Sequence, residues 1–190
     1  MKKALCFVDV ETTGLNSAIH EIIEISIVKI CPKKGTSTYT TKIQPENLQH
    51  ASETALKING YNQRDWEHAP AAQSVVFYIS DMIAGCTLVG HNIRFDEDFI
   101  SELFHLYGVK KRYDRRLIDT ITLAHEQLPN LHSLSLDSIR DYFFWDKKNA
   151  HTAYVDTMDC MRLYYKLLRA NAFHRTCWMI KHKVISLFRR

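Results

Sequence analysis

The sequence has no internal repeat, no low-complexity tract and no apolar run approaching the length needed to span a bilayer. Repeat architectures and membrane-spanning helices are therefore not expected. The opening Met1-Lys2-Lys3 leads into a short apolar stretch that ends in acids, so no secretory signal is expected either. Cysteine occurs without a pattern. Cys6, Cys31, Cys86, Cys160 and Cys177 are odd in number, widely spaced and free of any Cys-x-x-Cys. That argues against a disulfide framework or a zinc site. It favours reduced thiols in a cytoplasmic compartment, most of them acting as small core residues. Acid is absent from the end of the chain. Beyond Asp159 there are eight Lys and Arg and no Asp or Glu, whereas residues 1–159 carry 17 basic against 21 acidic residues. A mildly acidic body with a basic tail points to a tail that meets something anionic, or to a solvated terminus. Hydrophobic content of 46% and charge of 24% are ordinary for a globular chain, and 190 residues suffice for one domain with a small appendage.

The pattern along the chain predicts strands over 4–8, 22–30 and 36–43, the last two joined through the turn Pro32-Lys33-Lys34-Gly35. A short helix follows over 52–59. A longer one over 71–84 has Pro70 just before it and Gly85 just after. Short strands at 87–89 and 117–118 alternate with helices over 95–107, 131–144 and 152–169. In the first of these helices Phe99, Leu103 and Leu106 share one side. A meander followed by alternating strands and helices implies an α/β fold with a mixed sheet.

The chain is organised around Phe7-Val8-Asp9-Val10-Glu11-Thr12-Thr13-Gly14-Leu15. Asp9 and Glu11 are two positions apart, so on a strand they share a face, projecting where the strand runs out into Thr-Thr-Gly turn chemistry. Two close carboxylates repel unless neutralised, and oxygen ligands suit a hard divalent cation such as Mg²⁺ or Mn²⁺. Taken alone the pattern also fits two solvated acids. Asp96 is a third candidate, at a passage from strand to helix where acids are favoured for dipole reasons as well. Asp156 is a fourth. Leu163 and Leu167 follow it at helical spacing, which puts it on a core-facing stripe where a carboxylate needs a partner. His151 precedes it in the loop or first turn, leaning over the site.

Three stretches together resemble a known family. Asp9-x-Glu11-Thr12-Thr13-Gly14, His91-Asn92-x-x-Phe95-Asp96 and His151-x-x-x-x-Asp156 resemble, in order, the three motifs of the DEDDh exonucleases, the 3′→5′ exonucleases similar to the DnaQ proofreading subunit. Ile58-Asn59-Gly60-Tyr61 and Leu117-Ile118-Asp119-Thr120 are similar to secondary motifs, with Asn59 standing where the family usually has His. The resemblance implies a ribonuclease-H-like mixed β-sheet flanked by α-helices, with an exonuclease domain over 1–170 and a basic amphipathic tail over 171–190. It implies two divalent ions, Mg²⁺ or Mn²⁺, held by Asp9, Glu11, Asp96 and Asp156, with His151 as general base. It further implies that Thr12, Thr13, Leu15, Asn92 and Phe95 meet the substrate; for Leu15 and Phe95 core packing is the alternative, and His91 reads equally as structural. The implied reaction is release of nucleoside 5′-monophosphates from a DNA 3′ end in proofreading or repair. A 3′→5′ exoribonuclease of the ribonuclease T or oligoribonuclease type, or a non-catalytic module that binds nucleic acid or a polymerase, remains open. In the tail, Phe173, Cys177, Ile180, Val184 and Leu187 recur at helical spacing, and Trp178 can anchor it to the domain, a DNA polymerase subunit, nucleic acid or an anionic membrane surface.

Overall fold

The computed structural model describes residues 3–169. The tail over 171–190 lies outside the described residues, as does Cys177. Strand β1 (Ala4–Thr12) is central: β2 (Ile22–Cys31) pairs with it antiparallel on one side and β4 (Cys86–Gly90) parallel on the other. β3 (Gly35–Lys42) adds antiparallel to β2, and β5 (Ile118–Asp119) adds parallel to β4, giving the order β3-β2-β1-β4-β5. The helices are α1 (Glu53–Ile58), α2 (Gln63–Trp66), α3 (Ala72–Ile83), α4 (Ile93–Leu106), α5 (Thr120–Gln127), α6 (Leu136–Tyr142) and α7 over 153–169. This is the mixed sheet with flanking helices that the sequence implies.

The alternation of β1 divides the core. Cys6, Val8 and Val10 join Ile25, Ile27 and Leu88 in packing under Val76, Ile79 and Ile83 of α3 and Phe99, Ile100 and Phe104 of α4. Phe7 faces the other way, against Val28, Val89, and Cys160 and Tyr164 of α7. A further cluster of Ala124, Ile139, Trp145, Leu163 and Leu167 ties α5, α6 and α7 together. By the same parity Asp9 and Glu11 lie on the α7 face of the sheet. Cys6, Cys86 and Cys160 are buried free thiols and Cys31 is partly exposed, as expected of small core residues.

Several boundaries differ from the sequence pattern. β1 does not end at residue 8. Asp9 pairs with Ser26 and Glu11 with Glu24, so both acids stand within the paired strand, and the register shifts only between Glu11 and Thr12. Extra sheet pairing outweighs the low strand propensity of acids here. The helix expected over 131–144 shortens to Leu136–Tyr142, because Ser135 caps it by accepting from the Ser138 N–H. α4 begins two residues early, at Ile93. Leu106, expected on its buried stripe, is 70% exposed, since the chain leaves the helix there for Gly108 at φ 65°.

Candidate active site

Three elements bring the acids together. One carboxylate oxygen each from Asp9, Glu11 and Asp156 lies within 4.8 Å of the others. Two come from one face of β1 and the third from the first turns of α7. Asp96, in the first turn of α4, is 3% exposed, and its Oδ1 accepts from the Val10 N–H at 3.0 Å. That bond fixes the start of α4 against the strand between the two β1 acids.

The electrostatics are those of a cation site. Burial, then the charges of Asp96, Asp156, Glu11 and Glu24, push the Asp9 carboxyl well above the usual range. Burial, then Asp156 and Glu24, raises Glu11 to about 8. Asp96 is raised chiefly by burial, opposed by the N–H of Val10, and Asp156 by burial, opposed by Arg140. A divalent cation held among these carboxylates would offset their mutual repulsion and lower each shift again. The oxygen-only donor set fits Mg²⁺ or Mn²⁺.

The other expected residues are spread around this cluster. Thr12 and Thr13 are buried and their hydroxyls are engaged. Thr12 Oγ1 donates to the Gly14 carbonyl at 2.6 Å, and Thr13 Oγ1 accepts from the Glu21 N–H at 2.9 Å. Gly14 serves close approach rather than an unusual backbone angle, for a Cβ there would run into the His20 ring. Leu15 is 84% exposed at the rim. Asn59 Nδ2 donates to the Thr12 carbonyl at 2.8 Å, so the residue that departs from the family braces the turn after β1. Asn92 is exposed, at φ 70° before α4, its N–H held by Asp119 Oδ1 at 3.1 Å. Phe95 is half-buried and packs on Phe99 with ring centroids 4.9 Å apart. His91 is structural: its ring bridges Thr120 Oγ1 at 2.9 Å and the Leu134 carbonyl at 2.7 Å.

His151 stands in the loop before α7 at φ 63°. Its backbone N–H donates to Asp156 Oδ1 at 3.2 Å, while its imidazole Nε2 lies 3.4 Å from Asp137 Oδ2. The ring is half exposed, and it is not among the oxygens of the acid cluster. With Glu24, Lys42, Asn59, Trp66 and Thr152 it lines an open cavity of about 310 Å³.

A sequence model of the RNase_T family, described as Exonuclease, matches residues 6–164. The chain belongs to this exonuclease family. Its DEDDh, DnaQ-like character agrees with its relatives. It is 29% identical over 160 residues to a PolC-type DNA polymerase III of Caldanaerobacter subterraneus, covering 84% of this chain and 11% of that protein. It is 29% identical over 166 residues to the DNA polymerase III subunit epsilon of Treponema pallidum, covering 86% of this chain and 76% of that one. E. coli exonuclease I in complex with a dT13 oligonucleotide has the same fold, at a TM-score of 0.75 and 16% identity, over 92% of this chain and 43% of that one. The chain thus spans about a tenth of the PolC-type relative and under half of exonuclease I.

Within the RNase_T fold, the motifs overlook Arg140. Its side chain is fully buried and bonds three carboxylates: Nε to Asp159 at 2.8 Å, Nη1 to Asp137 at 2.9 Å and Nη2 to Asp156 Oδ1 at 2.6 Å. Asp156 Oδ1 is therefore held by both Arg140 and the His151 N–H. The sequence holds a signal for this. Leu136, Ile139, Arg140 and Phe143 fall at helical spacing on one stripe, and an arginine there requires buried partners. The motifs also pass over Glu24. It lies opposite Glu11 across the β1–β2 pair and adds a further negative charge.

Proposed function

We propose that the chain is a metal-dependent 3′→5′ exonuclease that hydrolyses phosphodiester bonds at the 3′ end of DNA and releases nucleoside 5′-monophosphates. The convergence of Asp9, Glu11 and Asp156 within 4.8 Å carries this reading, because an oxygen-lined, strongly acidic focus is of little use without cations. Asp9, Glu11 and Asp156, with Asp96, would hold two Mg²⁺ or Mn²⁺ ions. When bound, such ions lower the pKa of an attacking water and offset charge on the scissile phosphate and the leaving oxygen. His151 is the general base. Its Nε2 lies 3.4 Å from Asp137 Oδ2, which orients the ring. Arg140 fixes Asp137 and Asp156 together, and so sets the base against the acid cluster. Leu15 at the rim, and Asn92 and Phe95 at the start of α4, meet the terminal nucleotides, with the buried Thr12 and Thr13 shaping the turn behind them.

Residues 1–170 form the exonuclease domain and 171–190 a basic docking tail. A DNA polymerase subunit is the proposed partner, supported by the polymerase III relatives. The chemistry belongs to a cytoplasmic protein with reduced thiols, and among the described residues no helix is long and apolar enough to cross a membrane. The test is a gel time course on 5′-labelled single-stranded DNA and RNA with Mg²⁺, Mn²⁺ or EDTA, using wild type and Asp9→Ala. A metal-dependent ladder shortening from the 3′ end, absent in Asp9→Ala, is expected on DNA. Preference for RNA would move the assignment to the exoribonucleases, and intact strands under every metal would overturn it.

A further inference from the structure

Cations are concentrated away from the acid cluster. In the segment Lys110-Lys111-Arg112-Tyr113-Asp114-Arg115-Arg116, five of seven residues are basic, inside a body whose first 159 residues are net acidic. This segment joins α4 to β5. With α4 it forms a cleft of about 410 Å³ lined by Arg94, Glu97, Lys111, Tyr113, Arg115 and Leu117. Arg94 lies in the first turn of α4, two residues from Asn92 and two from Asp96, so the cleft and the candidate active site share that turn.

The cleft has a fixed floor. Glu97 Oε1 accepts from Tyr113 at 2.6 Å, Ser101 at 2.8 Å and Lys111 at 3.3 Å, and Arg94 Nη1 is 3.8 Å from its Oε2. One carboxylate, its side chain 12% exposed, thereby orients two cations that both remain exposed to solvent. Arg112 pairs with Asp81 and Asp114 with Lys3. Lys110, Arg115 and Arg116 make no ion pair among the described residues and are exposed. The cleft therefore presents a surplus of positive charge in fixed positions, including two guanidinium forks suited to phosphate oxygens. A polyanionic strand approaching four clustered carboxylates is repelled at the proposed reaction centre, and a cationic track alongside offsets that repulsion.

We propose that the Arg94–Lys111–Arg115 cleft binds the phosphodiester backbone of the substrate strand outside the active site, and so sets the preference for long strands over short ones. This rests on the exonuclease reading. The test compares wild type with R94Q/K111Q/R115Q, both full chains with matched thermal melts. It measures hydrolysis of a 20-nucleotide strand, a dinucleotide and thymidine 5′-(p-nitrophenyl phosphate) in Mn²⁺, and anisotropy of the labelled 20-mer in EDTA. The variant should raise KM for the 20-mer by roughly 10-fold. It should also flatten the log–log salt dependence of binding by about 2, because about three fewer phosphates are neutralised. Its turnover of the two short substrates should stay unchanged. Equal KM and equal salt slope on the 20-mer would overturn the cleft. Wild type that binds the 20-mer in EDTA but cleaves nothing would remove the exonuclease reading alone, the cleft then standing or falling on the variant's binding. Wild type that does not bind the 20-mer would remove the cleft.

Discussion

The acid cluster and the loop that carries His151 are built in opposite ways. Asp9 and Glu11 are set by the register of β1 against β2, and Asp96 and Asp156 by the first turns of two helices packed on that sheet. The His151 loop has three non-glycine residues at positive φ, Phe144, Asn149 and His151, and Phe144 is 95% exposed. Carboxylates that repel one another stay converged only on elements stiff enough to resist them. On the proposal that His151 is the general base, a group that must reach a proton on a bound water tolerates a less regular support, provided it is tied at one point. Arg140 and Asp137 supply that tie.

Breaking the loop side should have the largest effect on rate. In His151→Ala, kcat is expected to fall by about 10²–10⁴-fold, while calorimetric Mn²⁺ binding and the melting curve stay close to wild type. Loss of Mn²⁺ binding in that variant would make the loop part of the cation site and dissolve the contrast. Cutting the link between the two regions comes next. Arg140→Met leaves Asp156 and Asp159 buried without their cation, and should lower unfolding free energy by about 3–5 kcal/mol, measured in urea. A loss under about 1 kcal/mol would mean that the two regions do not depend on one another.

A pH series sharpens the acid side. Glu11 is raised from 4.5 to about 8, so between those values the unfolded chain loses its proton while the folded chain keeps it. The metal-free protein should therefore lose stability as pH rises through that window. Added Mg²⁺ or Mn²⁺ should offset the loss, increasingly so at higher pH, and Glu11→Gln should flatten the slope. Melting temperatures at pH 5, 6.5 and 8, with EDTA or metal, read this directly; a metal-free protein that gains stability towards pH 8 would refute it. The smallest effect is expected at Phe144. Phe144→Gly relieves a left-handed strain of about 1–2 kcal/mol and adds unfolded-state freedom of about 0.5–1 kcal/mol. The net is a gain of about 0–1.5 kcal/mol in urea unfolding, with activity unchanged.

The acids that converge in the fold could be picked out in the sequence because chemistry constrains residue type. An Asp and a Glu two apart on a strand, an Asp opening a helix after His-Asn, and an Asp seven and eleven residues before core leucines each carry their periodicity with them. The α/β order of elements was legible for the same reason. Element ends were less so. That β1 continues through both acids depends on its pairing with β2, which no local pattern encodes. Gly14 is required by the His20 ring, a neighbour six residues on that only the folded turn brings close.

The sequence by itself therefore pointed to the acids that converge, the layered sheet and the parity that puts Asp9 and Glu11 on one face, since these follow from residue type and backbone period. Tertiary structure alone decided that Arg140 holds Asp156 and Asp137 together, that His91 is a brace, and that Arg94 meets a basic loop across a cleft. Those are contacts between side chains far apart in the chain, and their partners are chosen by how helices pack on the sheet.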